Sequence, residues 1–291
     1  MKTLIIGANG QLGSDIVKIF GADSFYEVVP LNHPDIDITK PDTINLIIQK
    51  YQPEMIISTA AYHRVDECEM HPEESFGVNA LGVHNLCLAC KKDGITLVHF
   101  STDYVFGLDQ KRNTPYTEDD APGPQSVYAV SKLAGEYLMR YLCEKFFLIR
   151  SCGLYGSAGP SAKSGNFVDN MVKEAQTEKE VRVVNDQILT PTYTVDLAQN
   201  LKELLKTQEY GLYHITSEEQ CSWYEFAEEI FKLLKSSIPL IPVATNYFYS
   251  PVQRPLYSVL DNAHLKQIGL NLMKPWRDAL HRYMQEKEYL K

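Results

Sequence analysis

The sequence has no long hydrophobic run. No stretch approaches the length that spans a bilayer, and the opening "MKTLIIGANGQLG" holds too short an apolar run for a secretory signal. A soluble, cytoplasmic protein that does not engage a membrane is the expectation. Cysteine is sparse too. Six in 291 residues do not make a disulfide scaffold. Cys87 and Cys90 form a CxxC inside "HNLCLACKK", which reads as a helix. At i and i+3 they share a face with leucine and alanine, and no second CxxC completes a metal site, so two small core residues are expected. Basic charge is in deficit: 28 Lys and Arg stand against 37 Asp and Glu, a net charge of −9. That balance offers no basic face for a phosphate backbone and argues against a nucleic-acid partner, while leaving room for one small anionic ligand. There is no internal repeat or low-complexity segment, so a solenoid, a collagen and a disordered chain are set aside.

What is present in the first half is alternation. "KTLII" (2–6), "YEVVPL" (26–31), "EMIISTA" (54–60), "ITLVHFS" (95–101) and "FFLIR" (146–150) read as strands. Between them lie helical patterns over 11–20, 41–52 and 72–93, then the segment "SVYAVSKLAG" (126–135). Strands apolar throughout and separated by helices indicate a parallel sheet covered on both faces. The fold class is α/β, a doubly wound parallel sheet of Rossmann type. The second half is less regular. "GPSAKSG" (159–165) reads as a loop, "VRVVN" (181–185) and "GLYHIT" (211–216) as strands, and 194–206 as a helix that Thr194 can cap. Ser222 and Glu225 form a capping box for the next helix, and a last helix runs from Pro275. The expected organisation is a dinucleotide-binding domain from 1–151 plus about 192–215. A smaller α/β substrate-binding lobe takes about 152–191 plus 216–291.

"GANGQLG" (7–13) follows the first strand and opens the first helix. Gly7 permits the tight turn, Gly10 lets the backbone approach a pyrophosphate, and Gly13 allows the helix to pack on the sheet. Asn9, Gln11 and Leu12 belong to the same turn, and the helix N-terminus favours phosphate. In this strand–turn–helix context the triplet points to a dinucleotide rather than a plain β–α turn. After the second strand, "PLNHPDIDIT" (30–39) places Asn32 and His33 where an acid would favour NAD or an arginine would attract the 2′-phosphate of NADP. The preference between NADH and NADPH stays open. Asp37 and Ile38 are placed to border the adenine.

"STDYVFG" (101–107) ends the fourth strand, where ligands of doubly wound sheets bind. This puts Thr102 and Asp103 at the expected site. The loop "TPYTEDDAPGPQ" (114–125) is placed to fold over it. On a helical wheel of about 100° per residue, Val127, Val130, Ala134, Tyr137, Leu138 and Tyr141 form one apolar stripe, the expected core face. Tyr128 and Lys132 point almost opposite, roughly 40° apart. They are either a solvated neighbour pair or the lining of a cofactor cleft. Met139 shares their face, which suggests cover by a lobe or by a partner such as a second copy of the chain.

Thr102, Tyr128 and Lys132 after a GxxGxxG turn resemble the short-chain dehydrogenase/reductase superfamily, extended type. "GANGQLG", "AAYHRVDECE" (60–69), "STDYVF", "YAVSKLAGE", "GNFV" (165–168), "VVNDQILTPTYTVDLA" (183–198), "SWYEFA" (222–227) and "RPLYSVLD" (254–261) are similar to the dTDP-4-dehydrorhamnose reductases. Such enzymes convert dTDP-4-dehydro-L-rhamnose to dTDP-L-rhamnose with NADPH or NADH. The resemblance implies that Tyr128 protonates the developing alkoxide at C4. It implies that Lys132 binds the nicotinamide ribose and lowers the Tyr128 pKa, and that Thr102, with Asp103 and Tyr104, meets the sugar. Ala60, Ala61, Tyr62 and Asn79 would border the cofactor, and Asn166 and Arg254 the nucleotide sugar. Related 4,6-dehydratases carry Thr-Asp-Glu at the strand-four motif. Tyr104 in the third position removes that base and favours simple reduction.

The sequence departs from the family at Gly153, where a tryptophan is frequent, and at His63 and Arg64, where smaller residues are common. Those changes bear on the sugar rather than on the reaction class. His63, Asp66, Cys68, Glu69 and His71 have no standard zinc spacing, no metal site is assigned, and no ligand set for the magnesium used by some relatives can be picked out. Two other readings of the same fold are a non-catalytic dinucleotide-binding regulatory subunit and a 4-keto reductase for another nucleotide sugar.

Overall fold

In the computed structural model, which describes residues 1–158 and 165–290, the alternating segments form one parallel sheet. Its elements are β1 (Lys2–Ile6), α1 (Gln11–Gly21), β2 (Glu27–Leu31), α2 (Pro41–Tyr51), β3 (Met55–Ser58), α3 (Val65–Met70), α4 (Pro72–Phe76), α5 (Val83–Asp93), β4 (Thr96–Thr102), α6 (Val127–Leu142) and β5 (Phe146–Ser151). The second half adds β6 (Leu154–Tyr155), α7 (Phe167–Thr177), β7 (Val181–Val184), β8 (Ile188–Leu189), β9 (Thr192–Tyr193), α8 (Thr194–Leu204), β10 (Gly211–His214), β11 (Cys221–Ser222), α9 (Trp223–Leu234), β12 (Leu240–Val243), α10 (Ala263–Gln267) and α11 (Trp276–Glu286). The order across the main sheet is β10-β5-β4-β3-β1-β2. Pro30 sits in β2, the terminal strand, where a missing N–H costs no ladder bond. The loop expected over 159–165 falls, but for Gly165, outside the described residues.

Alternate residues of each strand face opposite ways. Ile5, Ile57, Val98 and Ile149 pack under Leu12, Ile16 and Phe20 of α1 and Leu197, Leu201 and Leu204 of α8. Leu4, Ile6, Ile56, Leu97 and Leu148 pack under Ile44 and Ile48 of α2 and Val83, Leu86, Cys87 and Cys90 of α5. The two cysteines of the CxxC are therefore core residues. A third core holds α7, α9 and α11 together through Val172, Phe226, Ile230, Trp276, Leu280 and Tyr283. The short pairs β12–β7 and β11–β8 lie in the same half of the chain.

The structure departs from the sequence reading in three elements. The helix expected over 72–93 is broken: Gly77–Gly82 winds as a π-helix between α4 and α5, a form that clusters at functional sites. Thr194 does not cap α8. Its hydroxyl donates to Asp15 and to Tyr155 O, tying α8 to α1 and β6. The 114–125 loop does not cover the cleft. Tyr116 stacks on Phe106 with ring centroids 4.1 Å apart and bridges to Leu260, and Glu118 accepts from His214 N at 2.8 Å. The capping box at α9 forms as expected, with Ser222 and Glu225 bonded in both directions.

Candidate active site

The chain leaves β1 for β2 on one side of the sheet and returns to β3 on the other, so a crevice opens beyond the strand ends there. Gly7 has φ +82°, and a Cβ on it would meet Thr59 Oγ1 at 2.5 Å. A Cβ on Gly13 would lie 2.1 Å from Gly7 O, so only glycine lets α1 start this close to β1. The N-cap, Gly10, has no side chain, which leaves the first N–H groups of α1 open toward the crevice. Gln11 Oε1 is buried beside them with no partner among the described residues. An open helix N-terminus and a turn with glycine at both ends fit a dinucleotide pyrophosphate.

Beyond β2, Asn32 Oδ1 accepts from Asn9 N at 2.9 Å and holds the two turns together. The Asp37 carboxylate accepts from the Thr39 hydroxyl at 2.7 Å and pairs with Lys40 at 3.1 Å. The Thr39 hydroxyl first, and Lys40 after it, pull its pKa to about 2 against partial burial. The Asp37 side chain is thus committed within its own turn. Asn85 Nδ2 fixes the neighbouring backbone by donating to Ile38 O at 3.1 Å.

At the end of β4, Thr102 Oγ1 donates to Asp103 Oδ1 and accepts from Tyr104 N, each at 3.2 Å. Cys152 Sγ donates to the other Asp103 oxygen at 3.0 Å. Burial raises the Asp103 carboxyl above its ordinary value. Tyr128 enters from the first turn of α6, which Ser126 caps and Glu69 fixes by accepting from Val127 N at 2.7 Å. Its ring meets Tyr104 edge-on at 6.1 Å. Desolvation pushes the phenol well above its usual pKa, with the Thr102 hydroxyl pulling the other way. Lys132 Nζ donates to Phe100 O at 2.5 Å and lies 3.3 Å from His99 Nε2. Burial lowers its pKa to about 8, opposed by Glu136. With the ammonium turned onto β4, desolvation dominates at the phenol, whose pKa Lys132 and the nicotinamide charge together are expected to lower.

The wheel assigned the wrong core face to α6. Val130, Tyr137 and Tyr141 are exposed, whereas Ala129, Ser131, Lys132, Leu133, Gly135, Glu136 and Met139 are buried. The polar members of the buried face each have partners. Ser131 bonds Ser75 and Asn79, and Glu136 takes a bidentate bond from Arg150 at 2.9 and 2.6 Å. Met139 is covered by the chain itself, within the core under α5.

One cavity of about 860 Å³ joins these parts. It is lined by Gly7, Asn9, Gly10, Gln11, Leu12 and Gly13, by Asp37 and Ile38, by Ala60, Ala61 and Tyr62, by Thr102, Asp103 and Tyr104, and by Tyr128, Lys132 and Asn166. Two expected residues stand outside it. Asn79 is fully buried and clamps the Tyr62 backbone, accepting from Tyr62 N at 2.9 Å and donating to Tyr62 O at 3.0 Å. Arg254 forms a bidentate pair with Asp66 at 3.1 and 3.2 Å. Asn166 lines the cavity, but its amide caps α7 and donates to Gly156 O and Tyr283. The acidic cluster around His63 is dispersed: Asp66 meets Arg254, Cys68 is buried, and Glu69 holds α6. The lining also includes Trp223, Gln187 and Ser258, which sequence reasoning did not single out, together with His63, Arg64 and Gly153, the three departures. The motifs "SWYEFA" and "VVNDQILTP" contain the first two, and only folding shows that these segments meet the sheet.

A family model described as the RmlD substrate binding domain matches residues 1–289. The spore coat polysaccharide biosynthesis protein SpsK of Bacillus subtilis (strain 168) is 36% identical over 286 residues, which cover 98% of each chain. The crystal structure of a dTDP-4-dehydrorhamnose reductase from Clostridium acetobutylicum ATCC 824 superposes with a TM-score of 0.93 at 38% identity, covering 99% of this chain and all of that one. The dTDP-4-dehydrorhamnose reductase of Bacillus anthracis str. Ames, solved in complex with NADP, gives a TM-score of 0.92 at 35% identity over 98% and 99% of the two chains. With the glycine turn, the Thr-Asp-Tyr strand end and the Tyr128/Lys132 helix all facing one cavity, the chain belongs to the dTDP-4-dehydrorhamnose reductase family.

Proposed function

We propose that the protein is an NAD(P)H-dependent oxidoreductase that reduces the 4-keto group of a nucleotide sugar, dTDP-4-dehydro-β-L-rhamnose, to dTDP-β-L-rhamnose for polysaccharide biosynthesis. The observation that carries this reading is the approach of Thr102, Tyr128 and Lys132 to one cavity whose far end is the glycine turn. The names of the relatives agree with it. The GxxGxxG turn and the residues after β2 and β3 hold the dinucleotide, which when bound supplies the hydride. Tyr128 hands its phenolic proton to the carbonyl oxygen at C4, whose charge grows as the C–H bond forms. Thr102 orients that oxygen. The single Thr102 hydroxyl proton is donated to Asp103 in this structure and would turn from that carboxylate to the carbonyl oxygen when the sugar binds. Lys132, one turn further along α6, would donate to the ribose hydroxyls, and its charge together with that of the oxidised nicotinamide would favour the phenolate left after transfer. Burial keeps the Tyr128 phenol protonated but holds its pKa above the range best for a general acid near neutral pH, so the charges of Lys132 and of the bound nicotinamide would have to lower it.

On this reading, residues 1–151 with 192–215 carry the cofactor, and 152–191 with 216–291 carry the nucleotide sugar. A cytoplasmic location and a homodimer complete the proposal. The apolar stripe of Val130, Tyr137 and Tyr141, exposed on α6, is the surface offered to a second copy. The test of the chemistry is Tyr128→Phe. Cofactor binding, followed by NAD(P)H fluorescence, should persist, while turnover with dTDP-4-dehydrorhamnose generated in situ falls by about two orders of magnitude or more. Near-wild-type turnover in that variant overturns the role of Tyr128.

A further inference from the structure

Behind the cavity lies a side chain that the reading above does not use. His99, on β4, is 2% exposed, and its Nε2 lies 3.3 Å from Lys132 Nζ. An ammonium has three N–H donors and no acceptor. One donor of Lys132 goes to Phe100 O at 2.5 Å. A second faces His99 Nε2: with the amine charged, that nitrogen accepts, and the imidazole is neutral with its proton on Nδ1, a buried atom with no partner among the described residues. The third remains for the cavity that Lys132 lines. Both burial and the Lys132 charge hold His99 well below its ordinary pKa, which keeps the ring neutral. A histidine placed only for packing would have no need to present its lone pair to a buried cation.

We propose that His99 is a positioning residue for Lys132: its Nε2 accepts one ammonium N–H, and so keeps the amine charged and its free donor directed into the cavity. The inference rests on the role given to Lys132 in the proposed function. Other ionisable groups surround the pair. Tyr128 and Glu136 lie on α6, Asp103 and Tyr104 follow β4, and Arg150 on β5 is already bound to Glu136. Glu136 raises the Lys132 pKa through charge alone. His99 adds a directional acceptor, and an acceptor to the charged form favours that form.

The experiment compares His99→Leu, which removes the acceptor, with His99→Gln, which keeps one. Carbon-labelled lysine spectra of the full chain report the Lys132 titration, assigned with Lys132→Met. In the Leu variant, Lys132 should titrate at lower pH than in wild type, and in the Gln variant close to wild type. Turnover should fall about tenfold or more in the first and recover in the second, since a misplaced catalytic group costs rate steeply. An unmoved Lys132 titration in His99→Leu overturns the inference. A moved titration with undiminished turnover supports it and overturns the role of Lys132 in the reaction. If the Leu variant does not fold, His99→Met replaces it. Nitrogen-labelled histidine spectra of the wild-type protein give a second reading: a proton found on His99 Nε2 overturns the inference without any variant.

Discussion

At the scale of single residues, the protein places charge in its interior and matches it. Arg150 and Glu136 are each 1% exposed and share two hydrogen bonds. Removing one partner leaves an uncompensated buried charge. Arg150→Met should therefore lower the unfolding free energy by about 3–5 kcal/mol, and Arg150→Met with Glu136→Leu should recover much of the loss. Urea unfolding of the single and double variants checks this. Asp37 shows the opposite case, a carboxylate near the surface. Its folded pKa of about 2 lies below the unfolded value of about 3.9. It stabilises the fold fully above the unfolded value, and that stabilisation is lost as pH falls between the two. Asp37→Asn should be less stable than wild type near neutrality, with the difference closing only as the pH falls below about 2, a convergence that denaturant titrations across pH will read. Thr102, Tyr128 and Lys132 were legible as candidates because a strand end and an i,i+4 spacing are local signals. His99 was not, because one histidine in an apolar strand carries no mark of the side chain it will meet from α6.

At the scale of elements, helix α6 shows where periodicity misleads. Its stripe of Val130, Tyr137 and Tyr141 is the more apolar face, yet the polar face turned inward. A hydrophobic wheel weighs transfer from water and has no knowledge of partners. Lys132 finds β4, Ser131 finds Asn79, and Glu136 finds Arg150, so the polar face can be buried without orphaned charge. Close approach seals the choice. A Cβ on Gly135 would lie 2.2 Å from Asn79 O in the π-helical turn. Gly135→Ala should force α6 off that turn and cost about 1–3 kcal/mol, measurable as a lowered melting temperature. It should also weaken cofactor binding, because Asn79 positions Tyr62. The form of the break at Gly77–Gly82 was not legible: the two glycines of "GVNALG" weaken a helix, but they do not say that the turn will widen to a π-helix. At α9, by contrast, the capping box was legible from Ser222 and Glu225 alone. Ser222→Ala should cost about 1 kcal/mol by thermal denaturation and leave turnover unchanged.

At the scale of the whole molecule, the doubly wound sheet followed from composition and order, because buried parallel strands are apolar on both faces. The course of the loop 114–125 did not. Its anchors, Leu260 and His214, lie far along the chain, and local sequence says nothing of them. If α6 pairs with a second copy, Tyr137→Glu with Tyr141→Glu should give a monomer in sedimentation velocity without changing the fold. A wild type that sediments as a monomer removes the dimer. The sheet order carries one more consequence, concerning the growing chain on the ribosome. Strand β5 is complete at Ser151, but its outer neighbour β10 begins at Gly211 and pairs Leu212 with Leu148 and Tyr213 with Ile149. Until those later residues emerge, the nascent sheet presents an open, apolar edge, and such edges recruit other chains. Over the synthesis of residues 151 to 211, β5 is therefore an edge strand of the nascent sheet, and that edge closes only when β10 arrives.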